Sequence, residues 1–230
     1  MERTIFESEH HLFRESFRQF VDREIVPNNQ TWEEKGIVDR SLFETAGSNG
    51  FLGIDIPQEY GGGGIADYRF NQIMQEEFDM AGVAAAASGL GLHNDICIPY
   101  FLEFCSDEQR ERWLPGLVSG QYITAIAMSE LGTGSDLAAI STTATKDGDS
   151  FVLNGAKTFI SNGIISDLVI VAAKTNPEAG HRGVSLLVVE RGMEGFERGR
   201  NLDKVGRHSQ DTAELFFTDV RVPAENLLGE

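Results

Sequence analysis

The hydrophobic period of this chain changes near residue 123, and that change restricts its architecture more than any single motif. Before Ile123 the apolar residues recur three and four apart. Phe13, Phe17, Val21 and Ile25 form one such series with Phe20 beside them, and Phe70, Ile73, Met74 and Phe78 form another. Beyond it, short β-branched and aromatic runs stand between Gly, Asn and Pro: Asp167–Thr175, Val184–Glu190 and Ala213–Pro223. The pattern predicts an α+β chain, with an all-α helical domain over 1–123 followed by a β domain over 124–230.

Local signals refine each half. Pro27 should block the first helix, because it lacks an N–H and its ring crowds the preceding turn. Asp39 can cap a short helix carrying Leu42, Phe43 and Ala46, which Gly50 would close. Ser106 to Gln109 reads as a capping box, and the helix it opens should stop by Pro115. In the second half, strands are expected over Ile123–Ser129, Phe151–Leu153 and Lys157–Ser161. Asn154-Gly155 should form a type I′ hairpin turn between the last two.

Charge and cysteine usage exclude several functions. With 36 acidic against 19 basic residues the net charge is −17, which opposes nucleic-acid binding and docking on anionic membranes. No basic-then-apolar leader opens the chain. The bland apolar run Val83 to Ala87 falls far short of the ~18 residues of a membrane span. A cytoplasmic protein without a membrane span is expected. Cys97 and Cys105 lie eight apart with no paired ligands, so reduced, packed thiols are expected and no metal. His10 and His11 are adjacent and would diverge by about 100° on a helix. His93 reads as a hydrogen-bonded histidine, and Gly61–Gly64 as a turn without the Lys-Ser/Thr of a phosphate loop.

Two segments carry chemistry. In ITAIAMSELGTGSD (123–136), residues 125, 127 and 129 share a strand face and are Ala, Ala and Ser. Such a face beside Gly132, Gly134 and Ser135 would leave room for a flat ligand to reach backbone donors. A tight hairpin capped by Ser135 and Asp136 would use the same residues. In NGAKTFISNG (154–163), Lys157, Phe159 and Ser161 should share a face, so that the ring could stack on a planar cofactor while the hydroxyl meets its polar edge. An ordinary cross-strand Phe in a β core is the alternative.

SELGTGSD and AKTFISNG, together with AELFFTDVRVPAENLLGE at the end, resemble the acyl-CoA dehydrogenases. IPQEYGG (Ile56–Gly62) and DEQRERWLPGLVSG (Asp107–Gly120) match in family order, so the resemblance covers essentially the whole chain. SDLVIV and QDTAELFF are nearest the long-chain members. The resemblance implies an N-terminal helical domain on a middle antiparallel β-barrel that holds FAD. It places Ile126, Ala127, Met128, Ser129, Gly134 and Ser135 in the first flavin-binding stretch, with Ser129 near the pyrimidine edge and Ser135 shared with the acyl-CoA substrate. Phe159, Ile160 and Ser161 match the second, where the aromatic residue packs on the ring and the hydroxyl reaches N5. Leu131 stands where many members have Pro, which should alter loop stiffness rather than binding.

The family's further C-terminal helical domain is absent from these residues, and its catalytic base is expected beyond Glu230. Glu130, inside the flavin motif, reads as structural. The resemblance therefore implies α,β-dehydrogenation of fatty acyl-CoA in fatty-acid β-oxidation, by a truncated chain inactive alone. The full-length protein would pass electrons to electron-transfer flavoprotein or a similar acceptor, and would form a homo-oligomer. An acyl-CoA oxidase or a flavin monooxygenase on the same fold, or a non-catalytic interaction module, are the alternatives.

Overall fold

In the computed structural model, which describes residues 4–229, the first helix α1 (Ser8–Phe20) is opened by a reciprocal capping box between Glu7 and His10. Residues 1–3 and Glu230, at the outer ends of the two expected domains, lie outside the described residues. Phe17 and Phe20 are buried against Phe51, with Phe17 meeting Phe51 and Phe78 edge-on at 4.8 and 5.1 Å. Edge-to-face rings add attraction beyond the area they bury.

Pro27 does not end this helical run. The backbone passes through a π turn (Val21–Ile25) and a 3-10 turn (Val26–Asn28) into α2 (Asn29–Lys35). The change of hydrogen-bond register sets Pro27 at the start of a new turn, where an N–H has no intrahelical partner anyway. Asp39 does not cap α3 (Ser41–Ser48) either, because its carboxylate accepts the Trp32 indole N–H at 2.9 Å.

The helices α4 (Arg69–Met80), α5 (Ala84–Gly91), α6 (Ile98–Phe104) and α7 (Asp107–Ser119) complete the helical half. Ser106 and Gln109 form the expected capping box. Pro115 lies inside α7 rather than ending it, since buried Trp113, Leu114 and Leu117 hold the helix down and Gly120 closes it at φ +75°. Cys97 and Cys105 are unpaired and buried, and burial pushes both thiols up to about 12.

Among the described residues eight strands follow, from β1 (Thr124–Ala127) through β2 (Thr143–Asp147), β3 (Ser150–Ser161), β4 (Leu168–Lys174), β5 (Val184–Glu190), β6 (Phe196–Asn201) and β7 (Thr212–Pro223) to β8 (Leu227–Leu228). Their order is β6-β7-β3-β2-β4-β5-β8, with β1 beside β4. The sheet is therefore open and mixed, not the closed antiparallel barrel expected. β6 and the two-residue β8 end the order without pairing with each other, β1 runs parallel to β4, and β2 meets β4 through one parallel pair, Thr143 with Lys174.

The Asn154-Gly155 turn is also corrected. β3 runs straight through it, and the hairpin turn lies at Gly148-Asp149 between Asp147 and Ser150. Asn154 sits at a register shift against β7, where it exchanges hydrogen bonds with Asp219 at 3.0 and 2.9 Å. Gly155 is required for close approach: a Cβ there would lie 2.5 Å from the Thr142 Oγ1.

β4 is buried on both faces. Val169 and Val171 join the sheet core with Leu153, Leu187 and Val222, while Leu168 and Ile170 pack against Phe101, Trp113 and Leu117 of the helices. Polar groups stitch the same seam. His93, in a second π turn, receives the Thr124 hydroxyl on Nδ1 (2.8 Å) and donates from Nε2 to the Leu117 carbonyl (3.1 Å). Burial pushes it down to about 4, so it stays neutral. Asn162 at φ +58° donates to the carbonyls of Gly89 (3.1 Å) and Thr124 (3.0 Å) and accepts from the Gln210 amide (3.0 Å).

Replacing Asn162 by Ala orphans these buried groups and leaves a Cβ residue without its polar compensation at positive φ. The expected loss is roughly 2–4 kcal/mol, read as a drop in Tm of about 2–4 °C per kcal/mol. An unchanged melt would show that the seam does not depend on Asn162.

Candidate functional site

Where β1 ends, the chain crosses β3 and ties itself to it. The Thr158 N–H donates to the Ser129 carbonyl at 2.9 Å. Lys157 reaches from β3 with a fully buried side chain, and its Nζ donates to the Met128 carbonyl and to the Glu130 carboxylate, each at 2.9 Å. The two chemistry-bearing segments, 31 positions apart from Ser129 to Ile160, are thereby brought together.

Glu130 anchors the loop beyond. Its carboxylate accepts the N–H and hydroxyl of Ser141 (2.7 and 2.6 Å) and the N–H and hydroxyl of Thr142 (3.0 and 2.6 Å), besides Lys157. Burial works to raise its pKa, but the Ser141 and Thr142 donors outweigh that and bring it down to about 2. Burial lowers Lys157, partly offset by Glu130. Backbone bonds between Glu130 and Thr133 in both directions pinch off Leu131 and Gly132, and Leu131 is 92% exposed. A carboxylate so saturated with donors, and ionised at any ordinary pH, is a structural group. It is not a proton acceptor.

The expected site residues fall into two groups. Ala127 and Ile160 are buried in the sheet core. The small-residue face is therefore not open: Ala125 and Ala127 pack inward against Val169 and Val171, while Ile126 and Met128 on the other face are half-buried. Accessible donors lie further along. Ser135 is exposed, Ser129 and Ser161 are half-buried, and none of the three hydroxyls has a hydrogen-bond partner among the described residues. The N–H groups of Gly134 and Ser135 likewise find no backbone acceptor there, and a Cβ at Gly134 would meet nothing.

Phe159 differs from its expected strand geometry. Between Lys157 and Ile160 β3 carries a bulge, and Phe159 sits in it at φ +60°, 67% exposed. The extra residue breaks the alternation, so Lys157 turns inward and Phe159 outward, and the two do not share a face. Phe159 is not a cross-strand core residue. An exposed ring two residues from the unpaired Ser161 hydroxyl, and next to Thr158, whose N–H meets the Ser129 carbonyl, fits a flat, acceptor-edged heterocycle such as an isoalloxazine. Lys157 was expected on the face of Phe159 and Ser161, and sequence reasoning missed its inward pairing and the Ser141-Thr142 pair. For Lys157 a signal was present, because it has the same strand parity as buried Phe151 and Leu153.

Comparison with known proteins gives a consistent result. The family model described as acyl-CoA dehydrogenase, N-terminal domain, matches residues 7–121, and that described as acyl-CoA dehydrogenase, middle domain, matches residues 125–220. The long-chain specific acyl-CoA dehydrogenase, mitochondrial, of Sus scrofa is 48% identical over 230 residues, covering 99% of this chain and 53% of that protein. The crystal structure of an acyl-CoA dehydrogenase from Geobacillus kaustophilus superposes with a TM-score of 0.96 at 52% identity, covering 100% of this chain and 60% of its own. A glutaryl-CoA dehydrogenase from Mycobacterium smegmatis, solved in complex with FADH2, gives 0.88 at 27% identity, covering 97% and 56%. The chain spans about half the length of the curated relatives it matches. No helix among the described residues is long and apolar enough to cross a membrane.

The Glu130 anchor predicts an acid-sensitive fold. Its folded pKa lies below the ordinary 4.5, so its stabilisation is complete above that value and is lost as pH falls toward about 2. The amount is on the order of 3 kcal/mol at neutral pH. Denaturant melts between pH 7 and 3 should show Glu130→Gln less stable at pH 7, with a flatter acid limb. Parallel pH profiles would refute the anchor.

Proposed function

The chain belongs to the acyl-CoA dehydrogenase family, and on that premise we propose that it holds FAD against the face built by Ser129, Gly134, Ser135, Phe159 and Ser161, for α,β-dehydrogenation of a fatty acyl-CoA thioester. The observation that carries this reading is Phe159, held outward at φ +60° beside the unpaired Ser161 and Ser129 hydroxyls. FAD, when bound, supplies the acceptor for the hydride that leaves the substrate β-carbon.

The chain's own residues supply recognition and order. The Phe159 ring offers an apolar surface to a flat ring system, and the Ser129 and Ser161 hydroxyls offer donors to its polar edge. The free N–H groups of Gly134 and Ser135 suit phosphate or carbonyl oxygens. Ser135, at the exposed end of the loop, is the position we assign to both cofactor and acyl-CoA. In this reading residues 1–123 act as the helical wall of the site and residues 124–230 as the flavin-binding domain. Backbone contributions from Ile126, Ala127, Met128 and Ile160 complete the two segments.

Removing the substrate α-proton requires a base on the face opposite the hydride acceptor. Glu130 is buried, ionised and fully engaged, so it does not serve, and we assign no base among the described residues. The similarity to long-chain members favours a long-chain fatty acyl-CoA as substrate, in β-oxidation. Electron-transfer flavoprotein or a similar carrier is the fitting acceptor, and a homo-oligomer the fitting state of the full-length protein.

FAD titration followed by flavin absorbance tests the reading. Ser161→Ala should alter the flavin spectrum and weaken binding by about 0.5–1.5 kcal/mol, as for one lost hydrogen bond. Phe159→Ala should weaken it through lost stacking area. Unchanged affinity in both variants would remove the site assignment. Purified residues 1–230 should show no FAD-dependent reduction of an electron acceptor by acyl-CoA, and measurable turnover would show that a base lies within them.

A further inference from the structure

We propose that the buried Lys157–Glu130 ion pair is the positioning device of the flavin face, locking the Ser129–Ser135 loop in register with the Phe159–Ser161 segment while keeping the ground beneath that face electrically neutral. This inference rests on the FAD reading above.

Phe159 needs such a device. A bulky residue at positive φ is disfavoured and persists only where its surroundings over-determine it. Here both flanks of the bulge are pinned. Ile160 is buried in the sheet core, followed by Asn162 in the seam with the helices. On the other flank Lys157 is held by the Met128 carbonyl and Glu130, and the Thr158 N–H by the Ser129 carbonyl. The Lys157 ammonium thus grips the peptide that leads into Ser129, two residues before its own strand turns Phe159 outward.

The choice of charged residues also calls for explanation. An apolar pair of similar size would serve stability as well or better, because two desolvated charges recover their hydration energy only with good geometry. An ion pair fixes a single register, which an apolar contact does not. Glu130 then extends the grip to Ser141 and Thr142, so one lysine governs both ends of the loop. Neutrality matters too, since an uncompensated charge in this low-dielectric layer would bias electron uptake by a neighbouring flavin.

The test compares Lys157→Met, and Lys157→Met combined with Glu130→Gln, with the parent holoprotein. Three quantities are read: FAD affinity, flavin midpoint potential, and hydrogen exchange at the Thr158, Ser141 and Thr142 amides after FAD removal. In Lys157→Met the Thr158 amide should exchange faster and FAD affinity should fall roughly 10- to 100-fold, as for a lost charge-assisted tether. Its potential should shift downward, because Glu130 keeps its Ser141 and Thr142 donors and its charge.

The double variant removes both charges, so the potential should return toward the parent value while affinity stays low. A purely structural role would leave the potential of folded Lys157→Met unmoved. If Lys157→Met does not fold, the double variant decides: parental affinity together with parental exchange at Thr158 overturns the proposal. Failure of the parent protein to bind FAD would instead overturn the FAD reading. The exchange rates in the FAD-free protein would still settle the register claim.

Discussion

A carboxylate buried away from water must be matched by donors, and the candidate site depends on how Glu130 meets that demand. Five hydrogen bonds converge on it, from Ser141, Thr142 and Lys157, so the loop from 131 to 140 has its two ends tied to one point. Several kcal/mol of desolvation would otherwise oppose burying either charge. Because Lys157 belongs to β3 and Glu130 follows β1, satisfying this single group also ties the chain leaving β1 to β3. The Thr158–Ser129 contact next to the exposed Phe159 is part of the same tie.

The site also needs a rigid floor, and the seam between helices and sheet supplies one. β4 is apolar along its length because both of its faces are covered, one by the sheet core and one by α6 and α7. Asn162 and His93 satisfy the backbone groups that this packing strands away from water. Asp167 adds charged bonds to Arg40 and Arg191 and accepts the Ile123 N–H at the point where helix gives way to strand. The bulge at Phe159 therefore rises from a stretch pinned on both sides, two residues after Lys157 and three before Asn162.

An open, mixed sheet leaves its ends unpaired, and the candidate face is a surface rather than an enclosed cavity. Proteins handle flat heterocycles well in this way only when something else completes the enclosure, since one exposed ring and a few donors leave most of a ligand in water. The relatives extend well beyond the length matched here. Under the proposed function these residues contribute the cofactor face, and no proton-removing group is assigned among the described residues.

The sequence by itself determined the order of helix and strand, the strands 168–174 and 184–190, and the capping box at Ser106, because these follow from local periodicity and local hydrogen bonding. It also placed Ser129, Ser135, Phe159 and Ser161 in the segments where the structure has accessible donors and an exposed ring, and it marked Glu130 as structural. Tertiary structure decided the rest. Pro27 and Pro115 read as stops, but buried neighbours carried the helices past them. Asn154-Gly155 carries the same local signal as a hairpin turn, yet the approach of Thr142 and the exchange with Asp219 keep it inside one long strand, opposite an extra residue in β7. Closure of the sheet depended on pairing between its ends, which no local pattern records. The outward turn of Phe159 came from a bulge whose partner, Leu215 to Ala213, lies more than fifty residues away. The pairing of Lys157 with Glu130 was invisible for the same reason: spacing along a strand states which way a side chain points, and only the fold states what it meets.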